Sequence, residues 1–184
     1  MKGLLTNFLK RRRLEKVAPY LKGKILDLGC GDGGIIDYLS DQEYFGVDIT
    51  KNTISNLSKK FPRLKFVQAD LNKEQVKIKI PVDTVLMVAV IEHLKTPNNL
   101  FGYLKNYMKK DASLIITTPS KFGDKIHQFG AKLRLFSTDA VKQHEKIYSF
   151  DEMKELLNTN GFVLKDFSKF EFGLNQFFLA KLSG

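Results

Sequence analysis

The stretch ILDLGCGDGG, residues 25–34, decides the fold of this chain of 184 residues. The run from Lys24 to Leu28 is short, apolar and stopped by glycines, which is typical of a buried strand. The residues that follow, 33–41, have a pattern that predicts a helix. Because glycine lets the backbone approach a ligand closely at the carboxyl end of a strand, this strand, turn and helix predict a small-molecule binding site.

The rest of the chain alternates between predicted strands and predicted helices. An amphipathic helix is expected in residues 2–20, ending near Pro19. Five strand–helix units and a final antiparallel hairpin predict one doubly wound α/β domain over residues 1–184, with a mostly parallel sheet. Strands are expected at Tyr44–Asp48, Leu64–Gln68, Asp83–Val88 and Ser113–Thr117, helices at Lys51–Lys60, Asn98–Lys109 and Phe150–Asn160, and the hairpin at Phe162–Phe172 and Gln176–Leu182.

Composition excludes several classes of protein. Hydrophobic residues make up 43% and charged residues 27% of the chain, which argues against disorder. Cys30 is the only cysteine, so no internal disulfide can form, and the cytoplasm is the expected location. No apolar run approaches the roughly 20 residues that a membrane-spanning helix needs.

The formal charge of +10 is concentrated at the N-terminus, where residues 1–24 hold eight Lys and Arg against Glu15 alone. This basic helix, within residues 1–22, could attract nucleic acid or phosphate. With Leu4, Leu5, Phe8 and Leu9 beside Lys10–Arg13, it could also make peripheral contact with anionic lipid. The plainer interpretation is a solvated charged face.

The glycine turn alone does not choose a cofactor, since Gly29, Gly31 and Gly34 also fit the dinucleotide pattern G-x-G-x-x-G. The neighbouring acids argue against a dinucleotide, because the carboxylates of Asp27 and Asp32 would repel its pyrophosphate at this turn. S-adenosylmethionine has no phosphate and carries an ammonium and a sulfonium. An acid at Asp27 therefore favours S-adenosylmethionine.

Two more acids end the next strands. Asp48 ends the second strand, where it could accept hydrogen bonds from both ribose hydroxyls. Asp70 follows the third strand and could accept from the adenine amino group. Together with the turn, these acids predict an adenosine site along the carboxyl ends of the first three strands.

With these residues in place, the sequence resembles the class I S-adenosylmethionine-dependent methyltransferases. The resemblance covers about residues 20–182 and implies a Rossmann-like, seven-stranded sheet whose last strand is antiparallel. It also implies S-adenosylmethionine as cofactor and S-adenosylhomocysteine (SAH) as product. It is carried by residues 26–33 (LDLGCGDG), 46–48 (GVD), 68–71 (QADL), 83–86 (DTVL), 90–94 (VIEHL), 114–119, 144–150 (HEKIYSF) and 161–162.

The resemblance assigns roles to individual residues. It implies that Asp27, Gly29 and Gly31 hold the methionine end, that Asp48 holds the ribose, and that Val88 lies beneath the cofactor. The complete set expected to bind the cofactor is Asp27, Gly29, Cys30, Gly31, Asp48, Ile49, Asp70, Leu71 and Val88.

A sulfonium methyl is already activated, so positioning supplies most of the catalysis, and a base is needed only for the acceptor. His93, after the fourth strand, is the candidate base, although it could equally cap a helix. His144 and Tyr148 could orient the substrate or lie at the surface. Metal-dependent relatives have a Glu three residues before the Glu-His pair. Ala89 stands at that position here, so no metal is predicted.

The leading functional hypothesis is methyl transfer to an O or N atom of a small-molecule or glycan- or lipid-linked acceptor. The basic insertion at residues 120–146 would be a lid over an anionic acceptor, with Lys121, Lys125, His127, Lys132 and Arg134, or else a solvated loop. RNA or protein methylation guided by the basic N-terminus is a second hypothesis. A non-catalytic cofactor-binding scaffold subunit is a third.

Overall fold

The computed structural model describes residues 4–73, 76, 81–124, 126 and 145–183. These residues contain seven strands: β1 (Ile25–Leu28), β2 (Tyr44–Asp48), β3 (Lys65–Gln68), β4 (Val82–Val88), β5 (Met108–Pro119), β6 (Phe162–Phe170) and β7 (Asn175–Leu182). Four α-helices lie wholly within them: α1 (Leu4–Val17), α2 (Lys51–Lys60), α3 (Pro97–Leu104) and α4 (Phe150–Thr159). Residues 121–124 are also helical.

The strands form one sheet in the order β3-β2-β1-β4-β5-β7-β6. The strands β1 to β5 pair in parallel, whereas β7 is antiparallel to both β5 and β6. The predicted doubly wound sheet with one antiparallel strand is therefore confirmed. No helix in the described ranges is long and apolar enough to cross a membrane.

The central strands are buried on both faces, as in other parallel sheets covered by helices. All four residues of β1 are buried. Leu26 belongs to a core cluster with α3 and α4 on one face of the sheet. Ile25 belongs to a second cluster, with Val17 of α1 and Leu57 of α2, on the other face. The sheet is therefore a middle layer between two layers of helices.

Two predicted helices differ clearly from the structure. The helix expected at residues 33–41 is only a 3-10 turn, Gly34–Tyr38, because Gly33 has a φ of 75°, which no α-helix accommodates. The helix expected to end at Lys109 stops at Leu104, since β5 begins at Met108, paired with Val82.

The hairpin turn also differs from its prediction. It consists of residues 171–174, so Asn175 is the first residue of β7 rather than the last residue of the turn. Of the predicted insertion, residues 120–146, the described part comprises only residues 120–124, 126, 145 and 146.

The antiparallel direction of β7 brings the β6–β7 turn to the functional edge of the sheet. Asn175 pairs with Pro119 at the carboxyl end of β5 and with Phe170 at the carboxyl end of β6. Residues 171–174 therefore lie at the same edge as the glycine turn after β1. This carboxyl edge is where ligands bind in open α/β sheets.

Helix α4 begins with a reciprocal cap that fixes the chain entering it. The Ser149 hydroxyl accepts from the Glu152 N–H at 3.3 Å, and the Glu152 carboxylate accepts from the Ser149 N–H at 2.8 Å. This bond from Ser149 and an ion pair with Lys121 lower the pKa of Glu152 to about 2. Met153 and Leu157, four residues apart, are the buried face of the helix.

Ser149→Ala should lower the free energy of unfolding by about 1 kcal/mol, because a helix N–H loses its acceptor. Urea denaturation followed by circular dichroism measures this change. Ser149→Asp keeps a capping oxygen and should stay within a few tenths of a kcal/mol of the parent. Equal urea midpoints for the alanine variant and the parent would show that the cap adds nothing.

Candidate functional site

The turn after β1 is built on glycines that no other residue can replace without strain. Gly29, Gly31 and Gly33 have φ values of 76°, 54° and 75°, a region in which residues with a side chain are disfavoured. The N–H groups of Gly29 and Cys30 donate to the carbonyl of Val47 at 2.8 and 2.9 Å. The turn is therefore tied to the end of β2.

The two sides of this turn differ in the space they leave. A Cβ on Gly29 would overlap Cγ2 of Val90, which follows β4. A Cβ on Gly31 would have no heavy atom of the described chain within 4 Å. The backbone of Gly31 therefore borders open space at the carboxyl edge.

Asp48 joins the turn to the end of β2. Its Oδ2 accepts from the Gly31 N–H at 3.0 Å, and its Oδ1 accepts from the Thr50 N–H at 2.8 Å. Each carboxylate oxygen can accept two hydrogen bonds, so both retain capacity for a ligand. The next side chain, Ile49, is 60% exposed. A fixed carboxylate and an open apolar surface thus lie side by side.

A cleft of about 370 Å³ runs from this point toward the end of β4. It brings together six of the predicted site residues: Gly29, Asp48, Ile49, Asp70, Leu71 and His93. The full lining comprises Gly29, Asp48, Ile49, Ala69, Asp70, Leu71, Asn72, Ala89, Val90, His93 and Leu94.

Four predicted cofactor residues are outside this lining: Asp27, Cys30, Gly31 and Val88. Cys30 is buried, and burial raises the pKa of its thiol to about 12, so it is an inert side chain. Val88 is partly buried and packs against the cluster under α1 and α2. Asp27 lies beneath the turn and is buried. Any contact of Asp27 or Cys30 with a ligand in the cleft is therefore indirect or made by their backbone.

Asp27 is a desolvated carboxyl group with a strong hydrogen bond. The hydroxyl of Tyr44 donates to its Oδ2 at 2.6 Å. Burial raises the pKa of Asp27 to about 6, and the bond from Tyr44 opposes this rise. A charged Asp27 near neutral pH is consequently unfavourable for the folded chain alone.

The stability of the chain should therefore fall as the pH rises from about 4 to about 6. The folded state binds the Asp27 proton in this window, whereas the unfolded carboxyl, with a pKa near 3.8, has lost it. Asp27→Asn keeps an oxygen for Tyr44 and should remove this fall, and the exposed control Asp41→Asn should retain it. Identical pH profiles of urea midpoints for Asp27→Asn and the parent would contradict this assignment.

Asp32, the second acid of the turn, forms an ion pair with Lys10 of α1. Helix α1 therefore contacts the turn directly. This ion pair also weakens the sequence argument that Asp32 repels a phosphate.

The far end of the cleft is held by contacts around Asn72. The Asp70 carboxylate accepts from the Asn72 N–H at 3.0 Å, and this bond lowers the pKa of Asp70. The Asn72 amide donates to the carbonyl of His93 at 3.4 Å, and its oxygen accepts from the Lys95 N–H at 2.7 Å. His93 is partly exposed and ends a 3-10 turn, Ile91–His93. Asn72 thus fixes the segment that carries His93.

Ala89, which sequence analysis treated only as a missing metal ligand, has a φ of 56°. This left-handed conformation is costly for a residue with a Cβ. Its N–H donates to the carbonyl of Thr117 at 2.9 Å, which holds the strained backbone in place. Such strain is concentrated at ligand sites, and no sequence signal predicts it.

On the other side of His93, Glu92 is buried and joins its own turn to β5 and to the segment that begins at Glu145. Its carboxylate accepts from the Thr118 hydroxyl at 3.1 Å, and its carbonyl accepts from the Glu145 N–H at 2.7 Å. Tyr148 is also buried, so its predicted alternative, surface placement, was wrong. Its carbonyl accepts from the Gln176 amide at 2.8 Å. His127 and His144 lie outside the described residues.

A polar cluster that the sequence did not predict joins helix α1, near the start of the chain, to the β6–β7 turn, near its end. Nε of Arg13 in α1 donates to Oδ1 of Asn175 at 3.1 Å, and Nδ2 of Asn175 donates to the carboxylate of Glu171. One feature of the sequence could have indicated this cluster: Asn175, which follows Gly173 and Leu174, is a polar residue at the start of an otherwise apolar strand. Nothing in the sequence links Arg13 to it.

Comparisons with known proteins agree with this architecture. Residues 4–165 match a family model described as a methyltransferase domain. A malonyl-[acyl-carrier protein] O-methyltransferase of Paenibacillus sp. (strain JDR-2) is 24% identical over 153 residues, which are 76% of this chain and 55% of that protein. An (S)-coclaurine N-methyltransferase of Thalictrum flavum subsp. glaucum is 31% identical over 100 residues, 50% of this chain and 27% of that protein.

This chain thus spans about half, or less, of the length of these curated relatives. Among solved structures, the magnesium protoporphyrin IX methyltransferase of Synechocystis PCC 6803 with bound SAH superposes with a TM-score of 0.74 at 17% identity. The superposition covers 100% of this chain and 89% of that one. At this identity the likeness establishes the fold.

Proposed function

The chain belongs to the class I S-adenosylmethionine-dependent methyltransferases, and from this premise we propose that it transfers a methyl group to an O or N atom of a small-molecule or glycan- or lipid-linked acceptor. The observation that carries the proposal is the cleft that joins Asp48, after β2, to His93, after β4. A methyl donor held at one end would present its methyl group toward the other.

The described residues fit S-adenosylmethionine. The open space beside Gly31 leaves room for the methionine end at the backbone of the turn. The oxygens of Asp48 can each accept from a ribose hydroxyl, and the exposed Ile49 offers an apolar surface to the adenine. Asp70 and Leu71 line the part of the cleft where the adenine edge would lie. When bound, the cofactor supplies a methyl group on a sulfonium that needs no further activation.

The chain's own contribution to the chemistry is to position the acceptor and accept its proton. His93 is the ionisable side chain of the cleft that follows β4, and its segment is fixed by Asn72. An imidazole there can accept a proton from a hydroxyl or an ammonium group near neutral pH.

The basic N-terminus does not favour the RNA or protein hypothesis. Residues 10–13 each have a partner within the chain: Lys10 pairs with Asp32, Arg11 and Arg12 pair with Glu15, and Arg13 donates to Asn175. Asp32 and Glu15 thus offset two of these four charges, and Arg13 is drawn into the fold. Of the lysines proposed for an anion-binding lid, Lys121 pairs with Glu152 at 2.9 Å, and the others are outside the described residues.

The proposal is tested by measuring SAH release from S-adenosylmethionine with a panel of small alcohols and amines. We expect turnover with at least one O or N acceptor. Stoichiometric cofactor binding with no turnover across alcohols, phenols and amines would favour the scaffold hypothesis instead.

His93→Ala should lower kcat roughly 100-fold, the usual contribution of a general base, without changing the affinity for SAH. Because the side chain is partly exposed, its removal should leave the melting temperature unchanged. His93→Gln keeps a hydrogen-bonding side chain without a titratable nitrogen and should be equally slow. Full activity in either variant would exclude His93 as the base.

A further inference from the structure

Glu171 occupies a position that is costly for a glutamate. It is the first residue of the β6–β7 turn, at the carboxyl edge of the sheet, and its φ is 52°. Gly and Asn suit this left-handed region better than Glu does. The side chain is nevertheless 91% buried, with a relative exposure of 9%. Neither its backbone conformation nor its burial favours a carboxylate here.

Only part of this carboxylate is used by the fold. Oε2 accepts from the Asn175 amide, and Asn175 in turn accepts from Nε of Arg13. Oε1 is buried and has no hydrogen-bond partner among the described residues. Burial raises the pKa of Glu171, while the nearby Arg13 opposes the rise. A buried acceptor without a donor is destabilising, so its retention calls for a ligand.

A second unpartnered oxygen lies on the same face of the sheet. The hydroxyl of Thr117 is buried and also lacks a partner in the described part of the chain. Thr117 pairs with Phe177, which is two residues along β7 from Asn175, so Thr117 and Asn175 project to the same side. The Ser168 hydroxyl, paired with Phe177 from the β6 side, is a third buried oxygen without a partner among the described residues. Of the three, Thr117 lies next to the cleft end that carries Ala89, whose N–H donates to the Thr117 carbonyl.

Three exposed aromatic side chains belong to the segments that carry or pack on the cluster. Phe8, Phe122 and Phe172 are 54%, 58% and 100% exposed. Phe8 is on the same helix as Arg13, and Phe172 is adjacent to Glu171. Phe122 is on the segment after β5, which packs on the turn through the Ser120 hydroxyl, a donor to the carbonyl of Gly173 at 2.6 Å. We name Phe8, Phe122 and Phe172 the aromatic rim.

Resting on the proposed function, we propose that Glu171 binds a hydrogen-bond-donating group of the methyl acceptor, a hydroxyl or an amine, whose apolar body contacts the aromatic rim. We name Glu171, Asn175 and Arg13 the acceptor subsite. In this subsite Asn175 and Arg13 position the carboxylate, and Oε1 is the atom that meets the ligand.

The charge of the subsite selects against anions. The positive charge of Arg13 interacts with two carboxylates, Glu92 and Glu171. Arg12 also attracts the Glu171 carboxylate, but it is itself paired with Glu15. A donor group would satisfy Oε1, whereas an acid would add a further negative charge beside it. The structure thus favours amines and alcohols over the anionic acceptor suggested by the overall charge of the chain.

The test uses three probes of matched shape, benzylamine, benzyl alcohol and benzoate, titrated by NMR into the SAH-saturated chain. We expect benzylamine or benzyl alcohol to bind at least tenfold more tightly than benzoate. Glu171→Gln should weaken the preferred probe at least tenfold while SAH affinity stays within twofold. The control Glu155→Gln removes an exposed carboxylate of α4 and should leave all affinities unchanged.

Glu171→Asn is a control for a folding defect, because Asn tolerates the left-handed backbone at this position. Its melting temperature should equal or exceed that of the parent, although it should bind the probes as weakly as Glu171→Gln. The proposal is overturned if benzoate binds as well as the donors, if Glu171→Gln binds them like the parent, or if no probe binds the SAH-saturated parent. Failure of the proposed function is distinct, because the parent would then release no SAH from S-adenosylmethionine with any alcohol or amine, whether or not the probes bind.

Discussion

Gly29→Ala should lower the free energy of unfolding by about 3 kcal/mol and abolish SAH binding. The new Cβ would occupy a left-handed conformation, φ 76°, and would overlap Cγ2 of Val90. Val90 is β-branched and buried, so it has few other rotamers with which to move aside. The displaced turn would no longer present its backbone toward Asp48. Urea denaturation and calorimetry with SAH measure the two effects.

Two control variants separate strain from overlap. The double variant Gly29→Ala with Val90→Ala removes the overlapping methyl group and should recover part of the lost stability. Gly31→Ala has a similar positive φ, 54°, but meets open space, so it should cost only about 1 kcal/mol. It should nevertheless lose SAH affinity, because its methyl group enters the space assigned to the cofactor. Unchanged SAH affinity for Gly31→Ala would place the cofactor elsewhere.

Asp48→Ala should weaken SAH binding by about 3–4 kcal/mol, several hundred-fold, because two charge-assisted hydrogen bonds to the ribose are lost. The same carboxylate also accepts from the N–H groups of Gly31 and Thr50, so its removal loosens the turn. Calorimetric titration gives the dissociation constants.

Asp48→Asn separates these two contributions. One amide oxygen can still accept from a backbone N–H, so the turn is partly retained, while bidentate acceptance by a carboxylate is lost. We expect it to bind SAH with an affinity between those of Asp48→Ala and the parent. The exposed Asp41→Ala should bind SAH normally. Tight SAH binding by Asp48→Ala would remove Asp48 from the cofactor site.

The strand and helix that follow the 3-10 turn could be predicted from the sequence because their signals are local. Both β2 and α2 have the predicted bounds, Tyr44–Asp48 and Lys51–Lys60. The start of β5 was hidden because Lys109 and Lys110 are charged and exposed, although Met108 and Ala112 are buried. A strand that is partly solvated at its start carries no clear apolar signal.

Only part of the candidate site could be predicted from the sequence. Asp48 ends β2 and His93 comes five residues after β4, so the parallel order of the strands brings both to one edge. The acceptor subsite is different, since Arg13 and Asn175 are 162 residues apart and meet only because β7 is antiparallel and α1 packs across the sheet. The strained backbone at Ala89 and Glu171 depends on tertiary contacts and has no sequence signature.

The most direct test of the central claim is a residue-resolved NMR titration of the isotope-labelled chain with SAH and, separately, with NAD. The account predicts saturable shifts of the amides of Gly29, Gly31, Ile49 and Leu71 with SAH at micromolar concentrations, and none with NAD. Shifts at these amides with NAD alone, or SAH shifts confined to residues away from the cleft, would contradict it.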